Sequence, residues 1–138
     1  MKILFPIMAM FYFWGCSVPS ENDAIVITNN EIRANNSYSY IKLISLKKTN
    51  GIEYEKDGKK EYKLEYKAEI EIIKTCYYSH WGLLSIYEAY PLDFKPFIGK
   101  VNELGDLTKP GYRREFELSC TFEKTDNGWR SYQDGQIY

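Results

Sequence analysis

The sequence predicts an α+β domain: a twisted antiparallel sheet of four or five strands, with one or two short helices on one face. Three observations point there. Tyr62, Leu64, Tyr66, Ala68, Ile70 and Ile72 alternate with Glu61, Lys63, Glu65, Lys67, Glu69 and Glu71. Phe116, Leu118, Cys120 and Phe122 alternate in the same way with Glu115, Glu117, Ser119, Thr121 and Glu123. Asp57-Gly58 and Asp126-Asn127-Gly128 stand at the ends of these runs, where hairpin turns belong. Strict period two with one apolar and one charged side means a strand with one buried and one wet face, which is an antiparallel signature.

Taken in order, residues 16–23 read as a polar tether and residues 24–138 as one domain. Ser20 with Asp23 three residues later has the form of a capping box, so a short helix over Ala24 to Arg33 is expected. The β-branched run Ile25-Val26-Ile27-Thr28 speaks against it. Tyr38 to Lys48 is a strand whose apolar phase slips between Leu43 and Ile44, the mark of a bulge, and Thr49-Asn50-Gly51 is expected to end it.

Closing the first hairpin with the three residues Lys56-Asp57-Gly58 sets Ile52 opposite Tyr62 on the buried side, whereas a two-residue turn sets Glu53 there. Facing favours the longer loop. The same reasoning sets Phe122 opposite Tyr132 in the second hairpin, and the last six residues read as a fraying end. Between the long strands, Ser79 is placed to cap a short helix from His80 to Tyr90 that Pro91 ends, and Phe97 to Val101 reads as a short strand.

The chain has 138 residues and a formal net charge of −1, with no basic block, so nothing electrostatic supports nucleic acid binding. The single His80 has no His-x-x-x-His, Cys-x-x-Cys or His-Glu-x-x-His partner, and no glycine-rich phosphate loop is present. The carboxylates of the long strands fall on the wet side, where water leaves them ordinary. Neither a catalytic residue nor a metal or other cofactor is therefore expected.

The start reads Met1-Lys2, an apolar run from Ile3 to Trp14, then Gly15-Cys16-Ser17. The run is far shorter than the roughly 20 residues that span a bilayer and suits the apolar core of a secretory signal. Gly15-Cys16 resembles the end of the lipobox of bacterial lipoprotein precursors, while Phe13 and Trp14 depart from its usual aliphatic and small residues. The resemblance implies removal of residues 1–15, acylation of Cys16, and a lipid-anchored place in the bacterial cell envelope, on the periplasmic or surface side of a membrane. The long strands and the ending Phe122-Glu123-Lys124-Thr125-Asp126-Asn127-Gly128-Trp129-Arg130 also bear a weak resemblance to the cystatin-like and nuclear-transport-factor-like cone folds of small lipoproteins.

With Cys16 acylated, Cys76 and Cys120 remain. Strand parity turns both inward, which makes them candidates for a disulfide, with two buried free thiols as the alternative. The aromatic residues Trp81, Tyr87, Tyr90, Phe94 and Phe97 form the candidate binding surface, or else cover the open sheet face as core. The expected role is non-enzymatic: binding or assembly at the envelope, with the membrane and an envelope protein or glycan as partners. An envelope inhibitor or immunity protein, a small enzyme on a cone-shaped fold, and a purely structural lipoprotein are the rivals.

Overall fold

A computed structural model describes residues 17–78, 89–93 and 105–138. One helix, α1 (Glu21–Ala34), packs on a four-stranded antiparallel sheet in the order β1-β2-β6-β7, formed by β1 (Ile41–Lys56), β2 (Lys59–Ile72), β6 (Arg113–Thr125) and β7 (Gly128–Ser131). A second sheet, in the order β4-β3-β5, comprises β3 (Cys76–Tyr78), β4 (Ala89–Tyr90) and β5 (Asp106–Thr108). This is the α+β class that the sequence predicts.

Helix α1 starts where the capping box puts it. The Ser20 N–H donates to Asp23 Oδ2 at 2.6 Å, and the Ser20 hydroxyl donates to the same oxygen at 3.1 Å. The acidic Glu21 and Asp23 lie in its first turn, where the helix dipole favours them. The helix ends at Ala34 and is closed by Asn36, whose φ of +55° lets the Ser37 N–H reach the Ile32 carbonyl, while the Asn36 N–H reaches that of Arg33. Ala24, Ile27, Thr28 and Ile32 form its buried side. Burial of that side outweighs the low helix propensity of the β-branched run.

The alternation in β2 is kept in full: Tyr62, Leu64, Tyr66, Ala68, Ile70 and Ile72 are all buried. On β6 the even positions also face inward, with Cys120 and Phe122 buried. The core forms two clusters. One gathers Ala24, Ile27, Leu64, Tyr66, Cys120, Phe122 and Trp129, and the other Ile32, Ile41, Ile70, Ile72, Cys76 and Tyr78.

Both hairpin registers differ from expectation. Asp57 and Gly58 have φ of +52° and +77°, the left-handed pair of a two-residue turn whose twist matches its strands. Glu53 therefore sits opposite Tyr62, and Ile52 faces outward. The extra residue is absorbed by a bulge between Lys48 and Asn50, so β1 runs on through Asn50-Gly51 instead of ending there. The bulge read at Ile44 is present, as a register shift between Leu43 and Ser45. In the second hairpin Asp126-Asn127 make the turn, and Phe122 faces Ser131, not Tyr132.

The second sheet continues the first. β2 pairs with β6 up to Glu71 opposite Arg113, and after a short corner β3 pairs with β5 in the same register, Cys76 opposite Thr108. At the corner the Ile72 N–H donates to the Tyr112 carbonyl and the Gly111 N–H to that of Ile72. The expected helix from His80 to Tyr90 lies mostly outside the described residues, but its end, Ala89–Tyr90, is strand β4. The strand expected at 97–101 lies outside the described residues.

Both chain ends of the domain are held. The Trp129 indole N–H donates to the Ser17 carbonyl at 3.0 Å, and Pro19 is buried, so residues 17–20 pack on the domain rather than forming a free tether. The last residue does not fray: Tyr138 exchanges backbone hydrogen bonds with Trp129 in both directions, at 2.8 and 3.1 Å.

Candidate functional site

Cys76 and Cys120 are free, buried thiols in different core clusters. Their strand positions explain the separation. Cys120 lies opposite Leu64 in the main sheet, whereas Cys76 lies beyond the corner, opposite Thr108. Shared inward parity does not bring two residues together when the strand turns a corner between them. Burial pushes the Cys120 thiol up to about 11 and raises that of Cys76 as well. Cys120 Sγ also contacts the Tyr66 hydroxyl at 3.3 Å. A protonated thiol is a poor nucleophile, so neither is set up for covalent chemistry.

The carboxylates of the long strands are less uniform than alternation suggests. Most of the wet face carries cross-strand ion pairs, such as Arg113 with Glu71 at 3.0 Å and Lys67 with Glu117 at 3.7 Å. At the turn end, however, Glu61 and Glu123 stand directly opposite each other and are both buried. Each finds its partners on a different side. Glu123 accepts from Lys59 at 2.8 Å and from Arg130, and these two partners hold its carboxyl below the usual range. Glu61 accepts the Tyr132 hydroxyl at 2.9 Å. Hydrogen bonding to Glu61 raises the phenols of both Tyr132 and Tyr54. Period two marks these carboxylates as outward but cannot show that side chains from β1 and the end of β7 fold over them. The arrangement ties the four strands of the main sheet together and leaves neither carboxylate beside a thiol.

Among the described residues, a cleft of about 380 Å³ on the sheet is lined by Thr49, Lys63, Lys67, Glu117 and Ser119, and two smaller ones lie elsewhere in the fold. One, of about 220 Å³, is lined by Tyr40, Lys74, Thr75, Pro91, Leu92 and Asp93. The Lys74 ammonium sits 5.5 Å from the Tyr40 ring centre there. Of the candidate aromatic residues Tyr90 is described: it precedes Pro91 of this cleft and is half-buried in β4, opposite Tyr77. Trp81, Tyr87, Phe94 and Phe97 lie outside the described residues, as do His80 and Cys16. The second cleft, of about 250 Å³, is formed by Ser17 to Ser20 with Asp23 and Tyr138. Residues 17–20 look like a linker, so this cleft is not among the sites expected above. The signals were present in Pro19 and in Trp129, whose indole needs a partner once buried.

Among the described residues, no group of three or more His, Cys, Asp and Glu side chains is placed to hold a metal ion, and no helix is long and apolar enough to cross a membrane. The chain matches no family model, no curated protein and no solved structure.

Proposed function

We propose that this chain is a lipid-anchored lipoprotein of the bacterial cell envelope, with a non-enzymatic binding or assembly role. The observation that carries the reading is the apolar run Ile3 to Trp14 ending in Gly15-Cys16. It is too short to span a bilayer, and it stops one residue before the chain docks on the domain through Ser17. A signal removed at Gly15 would leave a body that is held to itself at Ser17, the residue after the acylated cysteine. Acyl chains contribute about 0.8 kcal/mol per buried CH₂, enough to hold such a body on a membrane without a spanning helix.

A binding role is supported by how the reactive side chains are used. Both described thiols are buried and held protonated, and Glu61 and Glu123 are committed to structural partners. The cleft at Tyr40, Lys74 and Asp93 offers an aromatic ring, a cation and an anion together. A protein segment or a glycan of the envelope is the partner this chemistry suits.

Metabolic labelling with palmitate tests the anchor. The wild-type chain should incorporate label, Cys16→Ser should leave an unlabelled, larger precursor, and globomycin, which blocks only the cleavage, should leave a larger precursor that keeps its label. Label retained on Cys16→Ser would end the lipoprotein reading.

A further inference from the structure

Granting that Cys16 carries the lipid, we infer that the protein rests on the bilayer by the turn end of its main sheet, seated directly on the membrane with no linker between lipid and body. Lipoproteins are free to tumble only if a flexible stretch follows the modified cysteine. Here the residue after Cys16 is already fixed: the Ser17 carbonyl accepts the Trp129 indole N–H at 3.0 Å, Pro19 is buried, and Ser20 begins the helix. Consecutive Cα atoms are about 3.8 Å apart, so the acyl chains must leave the protein within a few ångströms of Trp129.

Trp129 is the second residue of β7, opposite Lys124, next to the Asp126-Asn127 turn. The register brings the other turn, Asp57-Gly58, to the same end, since Glu61 faces Glu123 and Lys59 reaches Glu123. The surface there has the character of a bilayer interface. Val18 is 41% exposed and Ile137 is 46% exposed. Ile137 lies against Gly128, beside Trp129. The Lys124 ammonium stands over the Trp129 ring at 5.7 Å. Exposed Val18 and Ile137 beside lysines on long stems suit the headgroup boundary, while Trp129, buried in the core, fixes where the acylated cysteine leaves the body.

Charge does not drive the contact. Lys56, Lys59, Lys60, Lys124 and Arg130 are matched at this end by Glu55, Asp57, Glu61, Glu123 and Asp126. Seating therefore rests on the acyl chains, Val18 and Ile137, and a zwitterionic bilayer suffices.

The test uses acylated full-length product bound to phosphatidylcholine vesicles that contain a lipid with a nitroxide-labelled headgroup. A fluorophore is placed on Asn127→Cys or on Lys109→Cys. Both positions are exposed, and the two native thiols are buried. The sites are separated by the length of β6, which is 13 residues or about 40 Å at 3.3 Å per residue. The label at 127 should be quenched at least twofold and the label at 109 left unquenched. Equal quenching at both sites, or stronger quenching at 109, would overturn the seating while leaving the anchor intact. Failure to obtain any acylated product would instead remove the reading on which the seating rests.

Discussion

Replacing Gly51 by alanine should destabilise the protein by about 1–2 kcal/mol. Gly51 lies on β1 opposite Leu64, diagonal to Tyr62, and the Tyr62 ring lies across it. A Cβ at Gly51 would stand 1.8 Å from Tyr62 Oη and 2.7 Å from Cζ, so the ring would have to move. It has little room. Tyr62 is buried, its ring centre is 5.9 Å from that of Trp129, and its hydroxyl accepts from Lys48 Nζ at 2.9 Å. Overpacking of this kind costs about 1–3 kcal/mol. Against that, alanine restricts the unfolded chain more than glycine and recovers about 0.5–1 kcal/mol. Equilibrium unfolding in urea should show a lower midpoint with an unchanged slope. The decisive comparison is the same change in a Tyr62→Leu background, where the obstructing ring atoms are gone. There Gly51→Ala should be neutral or stabilising, a coupling above about 0.5 kcal/mol. Equal effects in the two backgrounds would refute the steric argument.

Three further outcomes follow from single sites. Thr28 is fully buried and its hydroxyl is without a hydrogen-bond partner, so Thr28→Val should raise stability by about 1 kcal/mol in the same unfolding assay. Cys120 is shifted to about 11, so its contribution is complete below the unfolded value of about 8.5 and is lost as pH rises toward 11; Cys120→Ala should flatten that alkaline decline in thermal unfolding. Glu123 is held below the usual range by Lys59 and Arg130, so its contribution is present above about pH 4 and fades as pH falls through the lowered folded value; an acid titration of Glu123→Gln should show a shallower loss, while an unchanged acid limb would dismiss the ion pairs as contributors.

The parts of the fold that were readable in the sequence are those set by side-chain period. Tyr62 to Ile72 and Phe116 to Phe122 face as their alternation demands, and the slip at Ile44 is a bulge. Register was harder, because two local devices compensate each other. The Asp57-Gly58 turn takes its preferred two-residue form, and the bulge at Thr49 returns the strand to the register that the core needs. Facing alone favoured Ile52 opposite Tyr62 because a second bulge left no apolar phase slip to read in a stretch exposed on both sides. For the candidate sites, the sequence located inward thiols but not the corner that separates them. It also read residues 17–20 as linker, since one tryptophan on a distant strand fixes them.

The unbroken register across the corner has a topological consequence. Because β3 and β5 prolong the β2–β6 ladder in one register, they extend it into one long hairpin whose connection leaves after Tyr78 and returns at Asp106, with Ala89–Tyr90 paired back onto β3. Lengthening a connection at that point does not shift any pair behind it. Closure entropy grows only with the logarithm of loop length, about 0.6 kcal/mol for each doubling. Insertions into this connection on either side of Ala89–Tyr90, which β3 and the core hold, would therefore cost the ladder behind them little.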